Sequence, residues 1–465
     1  MRTDRFLSEV CAMTLLSLVI NGMAASGQTI NTVHNFKGSD GQNPISVLLT
    51  QGRDGRLYGT TVEGGANGLG AVFKQRTVGT GNILLHSFSG SDGSFPIGGL
   101  TLARDGNFYG TANTGGTAGD GVLFRITSSG TLTVLYNFTG GADGAFPLAP
   151  PIEALDGNLY GTTAGSTSQN STVYKFTPSG VFSTVYTFDP ATGYFPNSPV
   201  LQASDGTLYV TATSGGAAGC GSIIQITTTG LLNNTHSFDC TTEGGIPIAP
   251  LIQASDGNFY GTADSAGING GGTIFRLTPN WTLNVLYSFL ATPNDGKNPG
   301  FGLVQGTDNN LYGATAGGGT ASAGTLFQVT LGGVYKQLYS FSSTQAVPTQ
   351  EPVTPVQHTS GMFYGVTEVG GTKGLGSVYT LNMGLGPFIT FVRAQGKVGT
   401  KAQILGQGLT GTTNVTFNGV PATSFNVVSD TYMTAVVPAG ATTGQVVVTT
   451  PGGTLTSNKN FRITQ

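Results

Sequence analysis

Charge is scarce in this sequence. Of its 465 residues, 19 are Lys or Arg and 22 are Asp or Glu, a net charge of −3. No stretch gathers the basic residues that would neutralise a row of phosphates, so neither nucleic acid nor an anionic membrane surface is an expected partner. Beyond Ile20 no apolar run is long enough to span a bilayer. Helical periodicity is missing from the repetitive part of the chain, which leaves strands and turns. What the sequence does have is glycine, 75 residues without a Gly-X-Y period, which excludes collagen. The 26 Phe and 16 Tyr, within a 38% hydrophobic composition, are too many for a disordered chain. Glycine at this density marks frequent tight turns between short strands.

The N-terminus reads as an export signal. Arg2 and Arg5 precede an apolar run from Val10 to Ile20, and small residues follow at Gly22, Ala24, Ala25 and Ser26. The run is too short for an anchor, so residues 1–26 are expected to be removed, Cys11 with them. The mature protein is expected to be secreted or held at the cell surface.

The rest is dominated by an internal repeat. Leu57-Tyr58-Gly59-Thr60 returns as Phe108-Tyr109-Gly110-Thr111 and as Leu159-Tyr160-Gly161-Thr162, and the tyrosine recurs at Tyr209, Tyr260, Tyr312 and Tyr364. Subtraction gives spacings of 51, 51, 49, 51, 52 and 52 residues, hence seven copies. An apolar pair follows each tyrosine: Val72-Phe73, Leu123-Phe124, Val173-Tyr174, Ile223-Ile224, Ile274-Phe275, Leu326-Phe327 and Val378-Tyr379. A third motif is a short strand ending in Phe36, Phe88, Phe138, Phe188, Phe238, Phe289 or Phe341. A Pro-led segment, such as Pro96 to Gly106, then leads into the next tyrosine. Its small residues (Gly98-Gly99, Ala149-Pro150, Ser198-Pro199, Ala249-Pro250, Gly300) suit a crowded axis.

Motif order carries the argument further. The N-terminal strand Thr32–Phe36 is the third motif alone, and the last unit, around Tyr364 and Tyr379, lacks that strand. Seven complete units exist only if the N-terminal strand completes the last one, as in a closed β-propeller that leaves no unpaired sheet edge. An open solenoid would need capping repeats.

The Leu-Tyr-Gly-Thr-Thr, Gly-Gly, Val-Phe-Lys and Leu-Tyr-x-Phe pattern over residues 30–382 resembles the GloVer-type tandem repeats of bacterial surface proteins. The pairs Gly64-Gly65, Gly115-Gly116, Gly215-Gly216 and Gly370-Gly371 are also similar to those of kelch-like propellers. That resemblance implies export and surface exposure but no defined chemistry. From about Pro387 the period changes. Gly406-Gln407-Gly408-Leu409, Val415 through Ala422, Val437-Pro438 and Gly444 through Val448 together resemble an IPT/TIG domain. The likeness implies an immunoglobulin-like sandwich, and alternating apolar strands between Gly/Pro turns support that independently.

Side chains suited to chemistry are few. His34, His86 and His236 stand two residues before the strand-ending Phe, where the other units carry Tyr136, Tyr186, Tyr287 and Tyr339. A repeated His/Tyr slot is a packing or surface position. His358 stands alone, without a ligand partner at metal spacing. Asp54, Asp105, Asp156, Asp205 and Asp256 precede Gly in one loop, and Asp40, Asp92, Asp143 and Asp295 in another. One carboxylate per loop is turn chemistry rather than a calcium site. The Gly64–Gly68 stretch has no following helix and no Gly-Lys-Ser/Thr, so it is no phosphate loop.

Two acids fall outside the repeat: Glu63 and Glu368, each near a Gly-Gly pair in the first and last units, which ring closure would make neighbours. A glycosidase needs two carboxylates a short distance apart. Cys220 and Cys240 remain after export, one beginning the third strand of a unit and one following the fourth, and a disulfide between them is expected.

The fold expected is therefore all-β, a seven-bladed β-propeller over residues 28–384 followed by an immunoglobulin-like β-sandwich, of IPT/TIG type, over 385–465. The expected function is that of an exported, non-catalytic binding or scaffold protein, recognising an extracellular glycan or protein through its propeller loops. No cofactor and no metal are expected. The alternative is a polysaccharide hydrolase or lyase acting through Glu63 and Glu368.

Overall fold

The computed structural model describes residues 28–464, apart from 46–47, 78–80, 167–168, 291, 293 and 343–349. The expected export signal, with Arg2, Arg5, Cys11 and the Val10–Ile20 run, lies outside the described residues. Among the described residues every regular element is a strand.

Thr50–Gln51, Leu57–Thr61, Ala71–Gln75 and Asn82–Ser87 pair antiparallel in chain order as one small sheet. The same order recurs in sheets that begin at Thr101, Ile152, Leu201, Ile252 and Leu303. A further sheet takes Val356–Gln357, Phe363–Val369 and Ser377–Leu381 from the end of the array and Ile30–Asn35 from its beginning. There Ile30 lies opposite Leu381 and Asn35 opposite Ser377. We number these seven sheets as units one to seven.

Burial explains the motifs. The second and third strands, Leu57–Thr61 and Ala71–Gln75, are buried along their whole length, because adjoining sheets cover both of their faces. They therefore read as continuous apolar or small residues rather than as an alternation. The fourth strand is half-exposed, yet the Phe that follows it is fully buried in units such as the first and second. The innermost strand is shorter than the Pro-led segment suggested, two residues in most units. Backbones crowd beside it: a Cβ on Gly98 would come within 2.5 Å of the Leu148 carbonyl oxygen and 2.6 Å of Ala149 Cα.

The cores lie between sheets, not within them. Tyr58, Val72 and Phe88 of unit one pack with Phe108, Val122 and Phe124 of unit two. Equivalent clusters join units two and three, three and four, and onward to six and seven. One more cluster joins seven to one, with Phe36, Tyr364, Val366 and Val378 against Leu49, Leu57 and Phe73. The arrangement is propeller-like.

The tail is built otherwise. Thr390–Phe391, Lys401–Leu405, Tyr432–Val436 and Phe425–Ser429 form one sheet; Val420–Pro421, Asn414–Phe417, Val446–Thr450 and Gly453–Thr456 form another. Both contribute to one core, with Ile404 and Met433 from the first sheet and Val415, Phe417, Val446 and Val448 from the second.

Candidate functional site

Alternating strand direction gives the array two faces. The Asp-Gly turns lie on one, and the Pro-led starts, Gly-Gly pairs and loops after the Phe lie on the other. On the second face, the residue before each leading proline has a left-handed backbone. Asn43, Phe95, Phe146, Phe195, Ile246, Asn298 and Glu351 all have φ between 51° and 59°. The left-handed region costs a non-glycine residue about 1–2 kcal/mol, and a following proline disfavours helical backbone further.

In five units a pair of backbone bonds holds this residue between neighbours, at Asn43, Phe95, Phe146, Ile246 and Asn298, whereas Phe195 N–H donates to the Ser171 hydroxyl. Phe95 N–H donates to Leu69 O of unit one at 2.9 Å, and its carbonyl accepts from Asn113 N–H of unit two at 3.1 Å. Asn43 makes the same link between Leu375 of unit seven and Val62 of unit one. The left-handed backbone recurs in all seven units; its side chains differ. Units two to five present Phe95, Phe146, Phe195 and Ile246, the last 41% exposed, whereas units one, six and seven present Asn43, Asn298 and Glu351.

The expected acids sit on this face in different company. Glu63 accepts from Gln42 Nε2 at 2.6 Å and from Asn43 Nδ2 at 3.3 Å. The carboxyl that Glu368 meets is that of Glu351, the unit-seven member of the left-handed set. Burial and this hydrogen-bonded like charge push Glu368 up to about 8, so the pair holds a proton at neutral pH. Asp264, which occupies the unit-five position equivalent to Glu368, is also raised by burial and accepts from Asn298 Nδ2. The disulfide joins Cys220 to Cys240 on the same face, with Cα atoms 5.6 Å apart, and Cys220 O accepts from Ile246 N–H.

The repeated His/Tyr slot has a partner that the sequence reading did not pair with it. His34 meets Asp40 at 3.0 Å, His86 meets Asp92 at 2.8 Å and His236 meets Glu243 at 2.9 Å. Tyr136 and Tyr287 donate to Asp143 and Asp295 in the same way. The second-loop acids thus latch the fourth strand to its following turn. The first-loop acids cap their own turns, and Asp54, Asp105, Asp156 and Asp256 accept the repeat tyrosine, as Tyr58 donates to Asp54 at 2.9 Å and Tyr160 to Asp156 at 2.8 Å. Among the described residues no three His, Cys, Asp or Glu side chains converge as a metal-binding set.

The turn face carries a belt. The side chains of Gln202, Gln253, Gln305, Gln357 and Gln51 each accept a backbone N–H from the unit before, and Glu153 does so for Arg104 N–H. The seventh position is Leu102, which cannot accept. At that gap the Arg53 side chain donates to Arg104 O at 2.6 Å and to Gln403 of the tail at 3.0 Å, while stacking on Tyr432. Leu405 and Tyr432 of the tail join Leu102, Tyr58 and Phe108 in one core. His358 lies buried nearby, with Nε2 2.9 Å from Gly55 O and Gln407 within 3.5 Å, and burial lowers it to about 4. The tail therefore docks on the turn face of units seven, one and two, leaving the opposite face free of it.

Residues 19–202 and 149–354 match the Gloeobacter/Verrucomicrobia repeat. The chain belongs to this repeat family. No curated protein matches it closely enough to count as a relative. Among solved structures, this repeat protein is similar in fold to the extracellular domains of two hybrid two-component system proteins of B. thetaiotaomicron. One shares 14% identity at a TM-score of 0.50 over 94% of this chain and 55% of that one. The other shares 11% at 0.51 over 95% and 60%, so the chain spans little over half the length of either. A fungal alcohol oxidase of the AA5 family, solved with copper, shares 13% identity at a TM-score of 0.51 over 91% and 98%. At such identities the likeness is one of fold. Among the described residues no helix is long and apolar enough to cross a membrane.

Proposed function

We propose that the protein is an exported, non-catalytic binding module: a seven-bladed β-propeller over residues 28–384, closed by its N-terminal strand, with an IPT/TIG immunoglobulin-like sandwich over 385–465. Its ligand is an extracellular glycan or protein, taken on the face that bears the left-handed residues. One observation carries this reading. Seven equivalent positions share a left-handed backbone, yet four successive ones bear Phe, Phe, Phe and Ile while the other three bear Asn, Asn and Glu. A purely structural frame has no use for that division; a face with an apolar arc and a polar arc can orient an asymmetric ligand. The export signal and the fold shared with extracellular domains support the location outside the cytoplasm.

The hydrolase or lyase reading keeps one supporting observation, the Glu351–Glu368 pair. These carboxyls are hydrogen-bonded directly, whereas the two acids of a retaining glycosidase stand about 5–5.5 Å apart and those of an inverting one farther. Binding is the better account.

The test is a glycan and secreted-protein binding screen with the mature chain, repeated on Phe146→Asn with Phe195→Asn. Asparagine tolerates the left-handed region and the frame already holds it at Asn43 and Asn298, so folding is retained. At least a tenfold loss of binding is expected. Full binding by the double variant, with loss on removal of the tail, would overturn the assignment to this face. Polysaccharide cleavage abolished by Glu368→Gln would favour the enzyme.

A further inference from the structure

A cavity of about 350 Å³ lies on the array's axis, walled by the inner segments of units one to six. Its wall is apolar, with Leu48, Ile97, Leu148, Ile248 and Phe301, and Pro150, Pro199 and Pro250 offer no backbone N–H. Among the described residues no charged side chain lines it. Two wall hydroxyls are committed elsewhere: Thr50 donates to Leu100 O, and Ser198 bonds Thr211.

One wall residue breaks the pattern. Two positions after the left-handed residue stand Ile45, Ile97, Leu148, Asn197, Ile248, Gly300 and Val353, so Asn197 is the only polar side chain in that slot. It lines the cavity, and its Oδ1 is buried without a hydrogen-bond partner. Oδ1 is the buried end of the amide, and we assign the other end, the Nδ2 donor, to the cavity. A half-buried amide whose buried oxygen is so poorly matched to its surroundings calls for a reason, and a ligand is the plainest one.

We propose that this axial cavity is a binding site for a small, uncharged, largely apolar molecule that presents one hydrogen-bond acceptor, such as a carbonyl oxygen, to Asn197 Nδ2. Apolar walls supply the affinity and the single donor supplies orientation and selectivity. The volume sits at the lower end of small-molecule pockets and suits a compact single-ring compound. Because the tail docks on the turn face, access runs through the opposite mouth. The site does not depend on how the outer face is used.

The experiment uses acetophenone and its isostere α-methylstyrene, which replaces the carbonyl oxygen with a methylene group. Both are titrated into the mature protein and followed by NMR. Acetophenone is expected to bind at least fivefold more tightly. In Asn197→Leu that preference should vanish while the unfolding temperature stays the same or rises, since an unpaired buried polar group has been removed. Ile248→Phe should weaken both probes, with far-UV circular dichroism showing the fold kept. No binding of either probe, equal affinity for the two, or a preference unchanged in Asn197→Leu would overturn the proposal. Glycan or protein binding on the outer face is measured separately, so its failure would leave this result standing.

Discussion

The repeat array and the tail solve the same burial problem in opposite ways. In the tail, two sheets face one another and close a single core around Ile404, Phe417, Met433 and Val446. In the array no sheet has a core of its own, because each apolar cluster is shared by two successive units, the last of them by units seven and one. The tail can in principle fold by itself. A single unit cannot, so the array's stability is collective and concentrates where the array's two ends meet.

Breaking that meeting point should have the largest effect. Deleting residues 28–37 removes strand Ile30–Asn35 and the fully buried Phe36. Losing one such aromatic alone costs about 3–5 kcal/mol, and here an entire sheet edge goes with it. Thermal unfolding should show cooperative loss of the array, whereas a chain ending before Pro387 should shift the array's midpoint by only a few degrees. Equal shifts from the two deletions would contradict the contrast.

The disulfide tests the same contrast on a smaller scale. It ties two segments of unit four, a local staple in a collective structure. Cys220→Ser with Cys240→Ser should cost about 3 kcal/mol in the chain-entropy account, read by denaturant titration. Mass spectrometry of unreduced, alkylated protein should find no free thiol in the mature chain.

The smallest effects should come from protons, with opposite signs on the two faces. Glu368 is raised in the folded state, so folding holds its proton from the ordinary carboxyl range up to about 8. Stability therefore falls as pH rises through that window and levels off above it, and Glu368→Gln should flatten this slope. His358, lowered to about 4 beside the tail, is neutral when folded and charges first in the unfolded chain. Stability falls as pH drops from about 6.5 toward 4, and His358→Gln should remove that part. Denaturant midpoints across pH measure both.

How much of this was legible depended on whether side chains or backbones repeat. Tyr58, Phe73, Phe88 and their counterparts recur at fixed spacing because each fills the same gap between sheets, so the all-β repeat architecture could be read directly. The left-handed set was not legible. Asn, Phe, Ile and Glu share no property in sequence, and only the proline after each marks the position. The glutamine belt recurs about every fifty residues but is interrupted by Leu102 and Glu153, which hid it. Glu368 could be singled out as exceptional, but its partner Glu351 comes from the Pro-led segment across the sheet. Nothing in linear spacing announces that pairing.

Leu102 does more than leave an acceptor out of the belt. Joints that repeat around a circle are interchangeable, and an appendage facing them has no inherent reason to prefer one setting over its neighbours. A short tether from unit seven narrows the choice without making it. The substitution of one apolar side chain for a glutamine, with Arg53 freed to reach outward, marks a single angular position as unlike the rest. It acts as an index mark on a dial, and replacing it with glutamine would leave the tail attached yet uncertain of its bearing.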